Sequence, residues 1–435
     1  MDFIIDYPII FFNGNNQTIK SIIFNDDFDR CLSRSIIKQM KGVRRIIFGQ
    51  NFNKRVDNLP EGIEIIGFHE MFNQPINYLP KSLKYLETYW NFEQRIDHLP
   101  DCLENLVIGS SFDLPIDYLP YYLNKLELGD SFNQKIDYLP LRLEILKLGS
   151  DFNQRIDYLP HNLKKIKFGD NFNQSIDYLP QNLKRIKFGE KFNQSIDYLP
   201  KTVEKITFGD NFNQRIDYLP IKLRKLIMGI NFNQSINHLP RKLREIIIDE
   251  SFNQTLEFLP RSCTKIVFQT HFNNPLMKIS DYVKKIYFGR NFNQNVDNLP
   301  NNLKYIFFRS NFNQSVDNLP FGVKIIYFEG SFNQPLDFLP NTVKKIILPN
   351  SYDKPLDNLP DSVEEIIFGY ELDCQWKLYN GGTNRFDWKH RFNNIPKNLK
   401  EIHICKKYVY FEEMRKKYPL VKFNNFLWNK KLNIY

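Results

Sequence analysis

The residues best suited to bind a charged partner are basic ones that recur at a fixed spacing through the middle of the chain. They fill two neighbouring positions of a twenty-residue unit, and the set comprises Lys125, Lys147, Lys165, Lys167, Arg185, Lys187, Lys205 and Lys225. Like charges on adjacent strands repel each other, so packing does not explain their recurrence. The pattern predicts either a surface that binds an acidic partner or a charged face that keeps the protein soluble.

A second set of candidate binding residues is apolar and fills one position of the unit in eight consecutive copies. These residues are Ile227, Ile247, Val267, Tyr287, Phe307, Tyr327, Ile347 and Ile367. If they point outward from a sheet, they form one apolar and aromatic stripe, which is typical of a partner-binding site. Two alternatives stay open, because such residues also stabilise strands by stacking and because the C-terminal tail could fold over them.

Catalytic and metal-binding patterns are missing from the sequence. There is no glycine-rich phosphate loop, no Gly-x-Ser-x-Gly and no His-Glu-x-x-His. Five scattered cysteines form neither a zinc pattern nor a disulfide framework. A residue that recurs in every unit is also a poor catalytic candidate, since a catalytic site needs one unique constellation. We predict a non-enzymatic protein with no cofactor, no metal site and no small-molecule substrate.

Two further ladders receive structural interpretations. An aspartate recurs from Asp97 to Asp217, and its carboxylate is predicted to accept backbone N–H bonds in a turn. A tyrosine follows it from Tyr118 to Tyr218 and is predicted to stack on the return side of each coil. The aspartate ladder lacks the clustered oxygen ligands that calcium requires.

All of these residues belong to one twenty-residue unit that recurs from Gln50 to about Gly369. Phe stands at position 52 and at every twentieth residue up to 332, with Tyr352 in the next place. Leu-Pro closes each unit, with a single exception at Ile279-Ser280. Such a period is the sequence signature of a solenoid, in which each unit buries its apolar face against its neighbours.

Each unit has room for one short strand and an extended return. Ile186 and Phe188 alternate with polar residues, as expected for a half-buried strand. Gly189 is predicted to allow a positive φ or a tight turn after the strand, and Pro180 favours an extended approach to it. The recurring Asn, for example Asn133, predicts a ladder of side-chain hydrogen bonds to the backbone of neighbouring coils. The predicted fold is therefore mainly β, with about sixteen units, one short parallel strand per unit and a cap at each end.

The repeated pattern Leu-x-x-Ile-x-Phe-Gly-x-x-Phe-Asn-Gln-x-Ile-x-x-Leu-Pro resembles the FNIP repeat, a variant related to leucine-rich repeats. The resemblance implies a leucine-rich-repeat-like solenoid that serves protein–protein interaction. FNIP-repeat proteins are known chiefly from social amoebae and from giant viruses that infect amoebae. Some members place an F-box before the repeats and resemble substrate adaptors of ubiquitin ligases. We recognise no F-box in this sequence.

Three regions are predicted along the 435 residues. Residues 1–42 form an N-terminal cap with a degenerate repeat, residues 43–369 form the FNIP-repeat solenoid, and residues 370–435 form an irregular loop, a partial repeat and a C-terminal cap. The segment 410–417 is the predicted helix of that cap. No signal peptide and no membrane-spanning stretch is recognised, which predicts an intracellular, cytoplasmic protein, in the host cytoplasm if it is viral.

The leading functional hypothesis is a scaffold that binds a protein through the exposed face of its parallel sheet. The net charge of +10 and the basic centre predict an acidic surface on that partner. One alternative is nucleic-acid binding through the basic sheet surface, against which the recurring aspartate balances part of the charge. A second alternative is substrate recognition in a ubiquitin-ligase assembly, as in the relatives that contain an F-box. No membrane partner is predicted.

Overall fold

The protein is built from short strands that recur once in each coil of a solenoid. The computed structural model describes residues 10–13, 19–349, 351–368, 394–404 and 411–425, and the chain divides into two compact units, Met1–Leu223 and Arg224–Tyr435. There are about eighteen coils, so the predicted mainly β solenoid with one parallel strand per twenty-residue coil is confirmed. Among the residues described, no helix has the length and apolar character needed to span a bilayer.

The first unit carries a sheet in which the strands lie side by side in chain order. Its strands are β1 Ile10–Asn13, β2 Ile19–Ile23, β3 Arg45–Ile47, β4 Ile65–Gly67, β5 Tyr85–Glu87, β6 Asn105–Val107, β7 Lys125–Glu127, β8 Ile145–Lys147, β9 Lys165–Lys167, β10 Arg185–Lys187 and β11 Lys205–Thr207. β1 runs antiparallel to β2, and the other edge of β2 pairs in parallel with β3. A short helix, α1 Arg34–Gln39, begins after Ser33, whose hydroxyl accepts a hydrogen bond from the N–H of Ile36.

The second unit has the same organisation. Its strands are β12 Lys225–Ile227, β13 Glu245–Ile248, β14 Lys265–Phe268, β15 Lys285–Tyr287, β16 Tyr305–Phe308, β17 Ile325–Phe328, β18 Lys345–Leu348, β19 Glu365–Phe368, β20 Glu401–Ile404 and β21 Lys422–Asn425. All pair in parallel with their neighbours. The helix α2 Phe411–Lys417 falls within the predicted helical segment. The predicted loop, residues 370–390, lies outside the described residues, and the three predicted region boundaries remain predictions.

The core of each coil comes from its apolar positions. In a coil of the first unit, Leu183, Ile186 and Phe188 are fully or almost fully buried, and Phe172 and Ile176 bury the opposite wall. The Phe172 ring stacks on Phe192 of the next coil at a centroid distance of 6.1 Å. The alternating pattern therefore gives the predicted half-buried strand, because every second side chain points into the solenoid.

The glycine after many strands allows close approach of two backbones. A Cβ atom added to Gly189 would lie 1.9 Å from the carbonyl oxygen of Gly169 in the preceding coil. Positive φ angles occur, among the described glycines, only at Gly42, Gly62 and Gly330. Of the two alternatives predicted for Gly189, the positive φ does not occur, and the chain turns directly after this residue at positions 190–191. The absence of a side chain is what this position requires.

The asparagine ladder joins neighbouring coils as predicted. The Oδ1 atom of Asn133 accepts hydrogen bonds from the backbone N–H of Asn153 at 2.9 Å and from Nε2 of Gln154 at 3.1 Å. Asn153 makes the same two contacts with Asn173 and Gln174. One side-chain oxygen therefore satisfies a backbone donor of the next coil.

The single departure from Leu-Pro changes the local hydrogen bonding. Ser280 has the backbone N–H that proline lacks, and it donates this group to the carbonyl oxygen of Leu256 at 3.0 Å. The N–H of Leu256 in turn donates to Lys278. An isolated parallel bridge between Leu256 and Ile279 results.

Candidate interaction surface

Strand alternation places two rows of side chains on the outer face of the sheet. The first residue of each three-residue strand forms the first outer row, and the third residue forms the second outer row. β9 and β10 illustrate the register, since Arg185 is paired with Lys165 and Lys187 is paired with Lys167. The central Ile166 and Ile186 point inward and are buried. All predicted basic and apolar binding residues lie in these two rows.

Acidic residues of the same rows neutralise part of the predicted basic surface. Glu127 lies 2.6 Å from the ammonium groups of both Lys125 and Lys147. Burial opposes ionisation of Glu127, but the hydrogen bonds and charges of the two lysines hold its pKa below the ordinary value. These two lysines are therefore occupied within the sheet.

The same arrangement recurs in the second unit. Glu245 lies between Lys225 at 3.0 Å and Lys265 at 3.2 Å. Burial again opposes ionisation, and the two lysines nevertheless lower the pKa of Glu245. Lys225, another residue of the predicted basic set, is thus also engaged by an internal ion pair.

Four of the predicted basic residues form a compact group without an acidic partner among the described residues. We call Lys165, Lys167, Arg185 and Lys187 the basic square. They occupy both outer rows of two hydrogen-bonded strands, and three of them are exposed while Lys165 is half-buried. Paired strands lie about 4.8 Å apart, so the four cations are close neighbours. The remaining member of the set, Lys205, follows on β11.

The predicted apolar stripe lies in the second unit, where it divides into an accessible and a buried part. Ile227, Ile247, Val267, Tyr287 and Phe307 are half-buried. Tyr327 is 8% exposed, and Ile347 and Ile367 are each 2% exposed. These last three form a buried cluster against which Phe307 and Ile325 pack. The expectation that all eight side chains stand exposed is therefore wrong, because the end of the stripe is a small hydrophobic core.

The aromatic part of the stripe is stacked on itself. The rings of Tyr287 and Phe307 are parallel within 3° at a centroid distance of 4.2 Å. The ammonium group of Lys265 lies 4.7 Å from the Tyr287 ring centroid, a cation–π geometry. Desolvation by burial, together with the charge of Glu245, raises the pKa of Tyr287. Cross-strand stacking thus accounts for part of this row.

The tyrosine ladder of the first unit is exposed, contrary to the predicted stacking. Its members show 70–73% of their surface: Tyr118, Tyr138, Tyr158, Tyr178, Tyr198 and Tyr218. None of these rings makes an aromatic contact with another described ring. Sequence reasoning assigned them a packing role, although exposed rings at a regular spacing are also a possible contact surface.

The aspartate ladder bonds mainly to side chains two residues before it. Oδ2 of Asp177 accepts from the Ser175 hydroxyl at 2.8 Å, and Asp157 pairs with Arg155 at 2.9 Å. At these positions the predicted acceptance of backbone N–H groups is replaced by a local side-chain contact. No calcium-type cluster of carboxylates is formed by the described part of this ladder.

Comparison with known sequences identifies the repeat. The family model FNIP Repeat matches residues 54–87, 72–111, 113–151, 132–171, 152–191, 172–211, 192–231, 272–311, 312–351 and 332–371. Together these ranges cover more than half of the chain. No curated protein matches the sequence.

Among solved structures, the chain is similar to CroV588, a giant-virus protein described as a novel circular LRR protein structure. The identity is 29% and the TM-score 0.70, and the match covers 89% of this chain and 63% of CroV588. The chain thus spans less than two thirds of the length of that protein.

Two weaker likenesses are to other leucine-rich-repeat structures. The Drosophila Toll–Spatzle complex matches at 12% identity and a TM-score of 0.48, over 89% of this chain and 57% of that chain. YopM from Yersinia enterocolitica matches at 18% identity and a TM-score of 0.33, over 73% of this chain and 90% of that chain.

Proposed function

Because the chain belongs to the FNIP-repeat family, we propose that it is a scaffold whose basic square binds an acidic surface of a partner protein. The leucine-rich-repeat-like solenoid is typical of protein-interaction scaffolds, and the matching family is a repeat family that indicates no catalytic activity. The proposal concerns the outer face of the sheet in the first unit, where the side chains are not needed to fill the core.

The basic square is the observation that carries this proposal. Lys125, Lys147 and Lys225 are balanced by glutamates of their own sheet, whereas no described carboxylate pairs with the four cations of the square. Like charges directly opposite on paired strands destabilise a sheet. A cost of this kind is offset when an acidic partner surface covers the cations, and the same charges accelerate its association.

A protein partner is favoured over single-stranded nucleic acid by what surrounds the square. The outer rows of β8 to β11 contain Ile145, Lys147, Lys205 and Thr207 beside the square, and no aromatic residue. Proteins that bind single strands combine basic residues with aromatic rings on which the bases stack. The accessible part of the apolar stripe, from Ile227 to Phe307, lies in the second unit and is a separate candidate surface for protein contact.

The test is a charge reversal of the whole square. In the square variant, all four residues are changed to Glu: Lys165, Lys167, Arg185 and Lys187. We compare this variant with the wild type for the capture of proteins from an amoebal lysate treated with nuclease. We expect capture of the main acidic partner to fall at least about tenfold, which corresponds to about 1.4 kcal/mol of binding free energy. The captured proteins are identified and quantified by mass spectrometry.

A matched control carries the same change in net charge at other places. Lys135, Lys191, Lys201 and Lys222 are exposed residues of the first unit outside its strands, and their replacement by Glu should leave capture unchanged. Equal capture by the square variant and the wild type would refute the proposed function. Capture by the wild type from an untreated lysate that is lost on nuclease treatment, with a steep dependence of binding on salt, would instead assign the square to nucleic acid.

A further inference from the structure

Three metal-ligating side chains converge on the outer face of the second unit near its C-terminal end. Glu365 is the first residue of β19, and Glu401 and His403 belong to the next strand, β20. Glu365 is paired in register with Glu401, and Ile367 with His403, so the three side chains project from the same face. One ligand atom from each lies within 4.8 Å of the other two, and all three residues are half-buried.

The Nε2 atom of His403 lies at the point where the three side chains meet. Its Nε2 atom lies 3.2 Å from Oε1 of Glu365 and 3.2 Å from Oε2 of Glu401. A single ring N–H has to be shared between two carboxylates in that geometry. The Nδ2 atom of Asn424 lies 3.5 Å from the same ring nitrogen, and it can donate there only when Nε2 carries no proton. Oε2 of Glu401 is the nearer acceptor for Asn424, so the Nε2 atom of His403 faces the two carboxylates.

We propose that Glu365, Glu401 and His403 form a binding site for a divalent transition-metal ion of the zinc type. Zinc bonds His nitrogen and carboxylate oxygen at about 2.0–2.2 Å, and tetrahedral angles then place the ligand atoms about 3.3–3.5 Å apart. The two distances from Nε2 to the carboxylate oxygens are close to this separation. A cation among the three atoms would accept a lone pair from each of them.

The donor set decides which class of ion fits. One imidazole nitrogen and two carboxylate oxygens suit Zn²⁺ and its neighbours in the first transition row. Calcium and magnesium prefer oxygen ligands only, with six or more of them for calcium. Three protein ligands leave a fourth tetrahedral position for water or for a group of a bound molecule.

The surroundings both support and limit binding of the ion. Ile367 is paired in register with His403 and, like Ile347, is 2% exposed, so one side of the site is apolar and dry. Asn424 donates to Oε2 of Glu401 at 3.0 Å and fixes the orientation of that carboxylate. Lys345 contacts both oxygens of Glu365, at 2.9 and 2.8 Å, and its charge competes directly with a metal ion. Lys422 lies 3.4 Å from Oε1 of Glu401.

The experiment measures binding of ZnCl₂ to the purified full chain by isothermal titration calorimetry after removal of metals with a chelator. We expect the wild type to bind one more zinc ion than His403→Ala, or to bind that ion at least about tenfold more tightly. Glu401→Gln should weaken binding to a similar degree, because the carboxylate charge is lost while the size of the side chain is kept. Lys345→Met should strengthen binding, since it removes the competing cation.

Control variants separate metal binding from a purely structural ion-pair cluster. His271→Ala removes a half-exposed histidine near Asp249 and should not change zinc binding. Zinc should raise the thermal unfolding temperature of the wild type more than that of Glu401→Gln. Identical zinc stoichiometry and affinity in the wild type, His403→Ala and Glu401→Gln would overturn the proposal. If His403→Ala does not fold, the opposite expected effects of Glu401→Gln and Lys345→Met still decide it.

Discussion

Tyr352 fits the repeat pattern, but its burial costs more free energy than the burial of the Phe found in other coils. It occupies the place that Phe fills in the preceding coils, and its ring stacks on Phe332 at a centroid distance of 6.0 Å. The residue is only 2% exposed, and its hydroxyl has no hydrogen-bond partner among the described residues. Desolvation by burial, with the charges of Asp337 and Asp353, raises the pKa of Tyr352. The hydroxyl therefore carries a desolvation cost that no described residue offsets.

Replacing Tyr352 by Phe should stabilise the protein. Removing a buried, unpaired hydroxyl is expected to increase the free energy of unfolding by about 1–3 kcal/mol. The midpoint of urea unfolding at neutral pH measures this gain. Tyr178→Phe is the matched control, because Tyr178 is 71% exposed and its hydroxyl is hydrated.

The same comparison has a definite pH dependence. The folded-state pKa of Tyr352 is raised above the unfolded value of about 10. The neutral phenol is therefore favoured by folding, and the contribution of this group to stability is lost as the pH rises above about 10. The advantage of Tyr352→Phe over the wild type should grow there. A constant or shrinking advantage at alkaline pH would contradict the assigned burial.

At the scale of the structural element, side-chain amides join one coil to the next. Asn133 accepts hydrogen bonds from a backbone N–H and from a glutamine side chain of the following coil. Asp113 fills the equivalent place one coil earlier and accepts from the backbone N–H of Asn133 at 2.9 Å. The chain itself thus shows that this position needs an acceptor oxygen, which either side chain provides.

Changing Asn133 to Ala should therefore destabilise the first unit more than changing it to Asp. The Ala variant leaves the half-buried N–H of Asn153 without its acceptor, at an expected cost of about 1–3 kcal/mol. Asn133→Asp keeps the acceptor oxygen, so its free energy of unfolding should fall by much less. Urea unfolding followed by circular dichroism measures both, and equal losses in the two variants would show that the oxygen is not what matters.

At the scale of the whole molecule, each unit is a stack in which a coil contacts mainly its neighbours. Stability in such an architecture is roughly the sum of the contributions of coils and of the interfaces between them. The Phe172 ring packs against Phe168 at a centroid distance of 4.1 Å, and against Phe152 and Phe192 of the adjoining coils at 6.1 Å. We therefore expect a substitution of Phe172 to destabilise mainly its own coil and the adjoining coils.

Phe172→Ala tests that locality. Loss of a buried Phe costs about 3–5 kcal/mol. Within the first unit, amide hydrogen exchange should accelerate in β8 to β11 and change little in β3 and β4, as measured by mass spectrometry. A uniform acceleration over all these strands would indicate that the first unit unfolds as one cooperative body. The exposed Tyr178→Phe again serves as the control.

Much of the fold can be predicted from the sequence, because every period repeats the same pattern of buried and exposed positions. Alternation in the strand assigns Ile186 and Phe188 to the core, and both are buried. The role of Gly189 was harder to predict, because a Cβ atom at this position would clash with the carbonyl group of Gly169, which lies in another coil. A steric contact between coils leaves no trace in local conformational preference.

The sequence by itself determined the coil, its buried residues and the asparagine ladder, because these depend on interactions within one period or between equivalent positions of neighbouring coils. Only the tertiary structure decided which cations pair with a carboxylate of the described residues and that Ile347 and Ile367 are buried. It also placed Glu365 beside Glu401 and His403, although their separation along the chain departs from the twenty-residue period. The physical reason is that ion pairs and clusters of possible metal ligands depend on the distances between side chains. Those distances are set by the register of the strands and not by the amino-acid composition.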